Sequence, residues 1–508
     1  MGNCTPPWRG LFHVRRLWSD SGMSQLQVQL PMLSDGHPAL PSVDRRADGK
    51  PRFYLPLVKE LITADAGVKY IVTYESLYGG YEGISRKFFD EHLEPGDLFL
   101  DIGAHWGMFS LTAATRHPGQ VRVLAVEPHP LNVTQLLKGV SVNRLHEVID
   151  VVASAAGDRR GIARLRLNTT MGHSLDEATP LPSQAPLLVP VTTVDELLST
   201  RPELAQGRVL MKIDVEGFEY EVLCGARQLM ESGRVAAVMW EKGHSYGQGA
   251  GHEKMLKMID EFDRYGFRLY RFPSSEFDGP LIPFAPTPEV GNVFALAPGF
   301  ERKPVYELPF DPRPPFNNLF ATPADPQTRA ETTALLLAAR SSDGARWANP
   351  AELQIGAAQR AAIVAPHLPG SGASVLDLGA GAMALAQTVM SRGGRYSPAD
   401  LLRRSADCQI VDLNQGLLPQ GTFDVAVLSR VLEFVHDVPA VLAHCRQVAS
   451  KAVILYATRS GEEISQRREQ GWFNDFSDSE LAELVQRAGW RIETQQATAQ
   501  GLLLVCAT

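Results

Sequence analysis

One pattern occurs twice in this chain. Leu98-Phe99-Leu100-Asp101-Ile102-Gly103-Ala104 returns in the last quarter as Ser374-Val375-Leu376-Asp377-Leu378-Gly379-Ala380. Each copy is an apolar strand ending in an acid and a glycine-containing turn, with a helix-like stretch after it. A strand apolar along its length needs cover on both faces, which means a parallel sheet between helices. The glycine lets the backbone approach a ligand where the turn opens onto a helix N-terminus, as in nucleotide-type cofactor sites. Two copies predict an α/β chain with two doubly wound, Rossmann-like domains in tandem.

Alternating strand and helix signals fill in both domains. In the first, strands are expected at 97–102, 121–126, 148–153, 163–167, 208–213, 235–240, 267–271 and 291–297, with helices at 130–142, 219–231 and 252–265. In the second, helical stretches at 328–340 and 351–366 precede strands at 373–378, 393–396, 408–412, 423–428, 451–457, 489–494 and 501–506. Residues 1–50 are rich in Pro, Gly, Ser and Asp and read as a loose arm, with Met23 a candidate true start. The first domain is expected over 51–300, a proline-rich linker over 301–328, and the second domain over 329–508.

Composition narrows the function classes. The net charge is −8 and Lys and Arg form no long block, which speaks against a nucleic-acid partner. No apolar run is long enough to span a bilayer, and Arg9, Arg15 and Arg16 have no sustained apolar stretch behind them, so neither membrane insertion nor a signal peptide is expected. Met1-Gly2-Asn3-Cys4 resembles an acylation site, but Pro6 stands where Ser or Thr is needed. Cys4, Cys224, Cys408, Cys445 and Cys506 are scattered without zinc or CxxC spacing. They read as free thiols, and the expected compartment is the cytoplasm.

The first turn places Gly103, Ala104 and Gly107 behind Asp101. This is not the G-x-G-x-x-G of dinucleotide sites. Glu127 ends the second strand, 24 residues after Gly103, where a carboxylate can accept ribose hydroxyls. Farther on, Leu210-Met211-Lys212-Ile213-Asp214-Val215-Glu216-Gly217 puts Lys212, Asp214 and Glu216 on one face of a strand end. Glu241 ends the next strand and His244 follows it.

Together with Asn143, Gly157-Asp158 and the stretch from Val191 to Leu198, these motifs resemble the FkbM-type methyltransferase family over about residues 70–300. Lys-Ile-Asp-Val-Glu-Gly is the most specific part. The resemblance implies a class I methyltransferase fold, S-adenosyl-L-methionine as cofactor, and O-methylation of hydroxyls on natural products and sugars. Family members in polysaccharide pathways make a glycan acceptor an expectation beside a small molecule. A hydroxyl attacks a sulfonium methyl in line only when a base draws off its proton. Asp214 is the first choice for that base or hydroxyl orienter, with Lys212 holding it ionised, and Glu241 and His244 facing the same cleft. His105, His129 and His173 are further histidines near these motifs. No His/Asp cluster demands a metal, so none is expected, although Asp214 and Glu241 sharing a divalent cation is the alternative.

In the second domain, Asp377, Gly379 and Gly381 resemble the first cofactor motif of class I methyltransferases, with Met383 in place of a third glycine. Asp400 is the expected ribose acid and Asp412 the expected adenine-side acid. The stretch from Phe423 to Asp437 resembles a type-11-like methyltransferase group, with His436 its only obvious base. Either the domain methylates a second position or it is a degenerate fold that packs or presents substrate. Against both stand two other classes: an NAD(P) oxidoreductase, for which the fingerprint is missing, and a non-catalytic assembly protein of glycan biosynthesis. Oligomeric state is not legible.

Overall fold

A computed structural model describes residues 81–165, 187–243, 249–273, 278–308, 325–459 and 463–508, with shorter pieces at 14–16, 26–28, 39–42, 44, 46–56, 175–176 and 246. The chain divides into two compact units, 1–268 with 292–300, and 269–291 with 301–508.

The first unit is built on strands β1 (Leu98–Ile102), β2 (Arg122–Val126), β3 (Ile149–Val152), β4 (Val209–Ile213), β5 (Val235–Lys242) and β6 (Gly291–Leu296). They lie side by side as β3-β2-β1-β4-β5-β6. The pairings from β3 to β5 are parallel. Every residue of β1 and β4 is buried, which is why both read as continuous apolar runs. The chain reverses its direction of winding between β1 and β4, so the crevice for a ligand opens at their carboxyl ends. Asp101, Glu127, Asp214 and Glu241 therefore fall at one rim.

Helix Pro130–Val142 matches its expected range, opened by a proline at its first position. The helix expected at 219–231 is two, Glu219–Cys224 and Arg227–Glu231. The break comes at Gly225, where a Cβ would stand 2.0 Å from the Gly157 carbonyl oxygen, so a chain crossing there excludes any side chain. A small second sheet holds 155–156, 161–165, 175–176 and 187–192. The expected arm is not without structure: Ala39–Pro41 pairs antiparallel with Tyr54–Pro56, and the Ser42 hydroxyl accepts from the backbone N–H of Arg52 and Phe53.

The second unit carries β7 (Ser374–Leu378), β8 (Arg395–Asp400), β9 (Gln409–Ile410), β10 (Phe423–Ser429), β11 (Ala449–Tyr456), β12 (Arg491–Thr498) and β13 (Gly501–Ala507). Their order is β9-β8-β7-β10-β11-β13-β12, so the first five strands repeat the first unit's order and the last strand again lies against the fifth. β13 pairs antiparallel with both neighbours. The helix expected at 351–366 is broken into Pro350–Gln354 and Ala357–Val364 by Gly356 in a left-handed turn. β9 is shorter than expected because the chain folds back at once, Leu417 N–H donating to the Asp412 carbonyl.

Among the described residues no helix is long and apolar enough to cross a membrane. Cys224, Cys408, Cys445 and Cys506 are free thiols, the last three buried.

Candidate active site

Gly103 follows β1 with φ +80°, and a Cβ there would lie 1.8 Å from the Asp214 carbonyl oxygen. The turns after β1 and β4 thus touch backbone to backbone, which glycine alone permits. Gly107, at φ +82°, heads helix Met108–Arg116, and a Cβ on it would meet Leu136 at 2.3 Å. Asp101 is fully buried beneath the turn. It accepts from the Ser110 hydroxyl at 2.6 Å and lies 3.6 Å from the Lys212 ammonium. Burial pushes its carboxyl up against the pull of Lys212. A cavity beside the turn is lined by Gly103, Ala104, Trp106, Glu127, Lys212 and Asp214, among others. Asp101 and Gly107 are not on its wall, so their part is to shape the turn rather than to touch a ligand.

Glu127 does face the cavity. Its Oε2 accepts from His105 N at 2.8 Å, and its Oε1 from His129 N at 2.9 Å and Asn132 Nδ2 at 3.2 Å. A carboxylate offers about four acceptor sites, so three bonds leave one on Oε2. Glu127 as it stands can take one ribose hydroxyl, not the two expected from sequence. Burial nonetheless pushes its pKa up, opposed by the two backbone N–H groups. On the same wall the Ser154 hydroxyl is buried and has no hydrogen-bond partner.

Charge gathers at the other end. Lys212 donates to the Gly103 carbonyl at 2.9 Å and approaches Asp214 at 3.1 Å, with the Phe109 ring centroid 5.4 Å away. Burial opposes its charge, but Asp214, Asp101 and Glu82 outweigh burial and hold its pKa above the ordinary value. Burial also works against an ionised Asp214, yet Lys212 and a hydrogen bond from Glu241 bring its pKa down. Glu241 goes the other way: Asp214 first, then burial, push it well above the usual carboxylate range. Lys212 thus favours the charged form of Asp214, and Asp214 in turn favours the proton on Glu241.

Two acids complete the cluster. Partial desolvation, Asp214 and Glu219 push Glu216 up to about 7. Burial and Asp214 push Glu82 up to about 7, where Asn292 holds it at 3.0 Å. Glu82 escaped the sequence reading; the only signal was its place in a Tyr-Glu pair flanked by glycines. Carboxylate oxygens of Asp214, Glu216 and Glu241 lie within 4.8 Å of one another, a spacing that suits a divalent ion. Lys212 and the proton on Glu241 already balance much of that charge.

The second unit repeats the turn with different neighbours. Gly379 has φ +73° and a Cβ there would meet Val431 at 2.6 Å. Met383 adopts the left-handed conformation that Gly107 has in the first turn, and both donate to the alanine three residues back at 2.7 Å. Asp377 accepts from the Tyr396 hydroxyl at 2.6 Å, and burial pushes its carboxyl up to about 7. Asp400 accepts from Gly381 N at 2.8 Å, as Glu127 does from His105, but is also clamped by Arg404 at 2.9 Å. Asp412 accepts from the Ser342 hydroxyl at 2.6 Å and from Asn414 N at 3.1 Å. Asp400 keeps one acceptor site, on Oδ2, as Glu127 does, and both bonds to Asp412 fall on its Oδ1, so the mark of this unit is the Arg404 clamp rather than a lack of acceptor sites. His436 is no free base: its Nε2 is 3.1 Å from the Ser341 carbonyl, its ring stacks on Phe473, and burial lowers its pKa.

Residues 101–269 match the family model described as the methyltransferase FkbM domain, and residues 354–495 match one described as a methyltransferase domain. The chain therefore carries a region similar to FkbM methyltransferase domains and, later in sequence, a second methyltransferase-like region. The 31-O-demethyl-FK506 methyltransferase FkbM of Streptomyces tacrolimicus is 31% identical over 160 residues, covering 26% of this chain and 60% of that protein. The chain therefore spans less than two thirds of this relative. Among solved structures, methyltransferase FkbM from Methylobacillus flagellatus KT is 15% identical with a TM-score of 0.26, over 46% of this chain and 55% of that one. A Burkholderia thailandensis 1,6-didemethyltoxoflavin-N1-methyltransferase, solved with S-adenosylhomocysteine, is 23% identical with a TM-score of 0.25, over 30% of this chain and 79% of that one.

Within the FkbM-like region the structure brings Lys212, Asp214 and Glu241 together at the ends of β4 and β5, with Lys212 and Asp214 on the cavity wall and Glu241 behind it, while His244 lies outside the described residues, as does His173. Of the loop 169–189, with Gly172, Pro180, Pro182 and Pro186, only 175–176 and 187–189 are described. Asn143 proves to be a fastener: its side chain exchanges hydrogen bonds with the backbone of Tyr54 at 2.8 and 2.7 Å.

Proposed function

We propose that the FkbM domain is an S-adenosylmethionine-dependent O-methyltransferase whose acceptor is a hydroxyl of a sugar, a glycan or another natural product. The observation that carries this is the placement of Asp214 at the end of β4 beside the glycine turn, 3.1 Å from the Lys212 ammonium and next to the Glu241 carboxyl. The cofactor fits what the first cavity offers: backbone of Gly103 and Ala104 on its wall, a free acceptor site on Glu127 and a Ser154 hydroxyl with no partner among the described residues. When bound, S-adenosylmethionine supplies the electrophilic methyl group. Asp214 would orient the acceptor hydroxyl and take its proton as the new C–O bond forms and the sulfur–methyl bond breaks, the sulfonium leaving as the neutral thioether of S-adenosylhomocysteine. Lys212 keeps Asp214 ionised before that step, and Glu241 supports the carboxylate by donating to it. Glu216, poised near neutrality, offers the proton a way out to solvent.

We assign the second domain an accessory role, because Val427, Ser429 and Leu455 stand at the strand positions where the first carries Lys212, Asp214 and Glu241, and because Arg404 clamps Asp400. The free buried thiols support a cytoplasmic setting. Calorimetric titration with S-adenosylhomocysteine tests both assignments. One site per chain is expected, lost in Glu127→Ala and kept in Asp400→Ala. Two sites would make the second domain a second enzyme, and none would favour a non-catalytic assembly protein.

A further inference from the structure

Five residues past Asp214 the FkbM domain buries another carboxylate. Glu219 is 0% exposed and opens helix Glu219–Cys224. Its oxygens turn back on the loop before it. Oε1 accepts from Val215 N at 3.0 Å and Gly217 N at 3.1 Å, Oε2 also lies 3.1 Å from Gly217 N, and the Tyr246 hydroxyl donates to Oε2. Glu216 and Gly217 both have positive φ, 56° and 104°, so the loop curls its N–H groups inward. Successive inward N–H groups make a concavity for an anion, and here the anion is the protein's own.

Tyr246 extends the link. It is 1% exposed and meets Trp240 edge-on, with ring centroids 5.8 Å apart. Trp240 is the residue before Glu241. Glu219 thereby joins the loop after β4, which carries Asp214 and Glu216, to the end of β5, which carries Glu241. Nothing else in this cluster explains so costly a burial: a carboxylate withdrawn from water needs its partners kept in place, and these partners are the loop's backbone.

We propose that Glu219 is a positioning residue that keeps the Asp214 and Glu241 carboxyl groups together, their oxygens within 4.8 Å, by bracing the loop between them through Val215, Gly217 and Tyr246. It touches neither cofactor nor acceptor in this arrangement and acts through Asp214. The inference rests on the methyltransferase reading only for its effect on rate; the bracing itself is independent of it. Glu219→Gln is the direct probe, since an amide presents an N–H where the loop offers N–H groups. Tyr246→Phe is the milder one, removing a single donor.

The full chain is the material for the test. S-adenosylhomocysteine affinity is expected to stay within about threefold in both variants, because Glu127 and Ser154 lie on the far wall. The protonated carboxyl of Glu241, assigned by infrared difference spectra through its loss in Glu241→Gln, is expected to shift its titration by about one pH unit or more in Glu219→Gln. Methyl transfer from labelled S-adenosylmethionine to a panel of polyol and glycoside acceptors is expected to lose roughly tenfold or more in kcat with little change in donor KM. An unmoved Glu241 band in folded Glu219→Gln and Tyr246→Phe overturns the proposal. If Asp214→Asn still methylates at the native rate while the band moves in Glu219→Gln, the base assignment fails and the bracing stands.

Discussion

Strand for strand, the two methyltransferase domains differ at the positions where chemistry would happen. In the first sheet Lys212 lies opposite Asp101 and Ile213 opposite Ile102; in the second, Val427 lies opposite Asp377 and Leu428 opposite Leu378. One residue on, Asp214 in the first corresponds to Ser429 in the second. Across the next pairing, Trp240 lies opposite Ile213, which puts Glu241 beside Asp214, whereas Leu455 lies opposite Ser429. Lys, Asp and Glu are therefore replaced by Val, Ser and Leu on the same strand order. The glycine turn and sheet order make a scaffold; the charged rim makes a site, and the two vary separately.

The largest expected effect tests that contrast directly. Asp214→Asn should cut methyl transfer by roughly 10²–10⁴-fold, the usual range for a lost acid–base group, with S-adenosylhomocysteine affinity little changed. Ser429→Ala should leave the rate alone. A rate loss in Ser429→Ala, measured with the same labelled donor, would give the second domain a part in the chemistry.

Next comes Gly103→Ala. Its Cβ would collide with a carbonyl oxygen of the backbone, at a φ that alanine avoids. Gly379→Ala meets only a valine side chain. Calorimetric unfolding should show Gly103→Ala destabilised by about 3 kcal/mol or more, and Gly379→Ala by less. Equal losses would mean the β4 turn of the first domain can retreat.

The smallest effect is in pH dependence. Asp377 is raised from 3.8 to about 7 by burial. The folded state then holds a proton that the unfolded state releases, so stability falls as pH rises from about 4 to about 7. Asp377→Asn should flatten that slope in denaturant midpoints taken across the window. Asp101 shifts the same way, but its neighbour Lys212 opposes the shift, so Asp101→Asn should flatten the slope less. A larger change in Asp101→Asn would show that Lys212 does less than its position suggests.

Much of this was legible because its causes are local. Short apolar runs ending in Asp-x-Gly marked β1 and β7, and the alternation in Lys212-Ile213-Asp214 marked a charged face. Other features come from residues distant in sequence. Glu82 enters the cluster from a segment 132 positions before Asp214. Arg404 and Ser342 were unremarkable in sequence, yet they occupy Asp400 and Asp412. Glu219 lay next to the most specific motif and still gave no sign that its carboxylate turns inward.

Sequence alone thus determined the fold class, the duplication of the glycine turn and the acids at each strand end, since periodicity and turn chemistry are properties of neighbours along the chain. Tertiary structure decided which acids are free to act. Arg404 clamps Asp400 where no arginine clamps Glu127 among the described residues, and Lys212 draws Asp214 toward its charged form while Asp214 and burial draw Glu241 toward its neutral one. Protonation and hydrogen-bond capacity depend on burial and on the charges that surround a group in space, and no pattern along the chain encodes them.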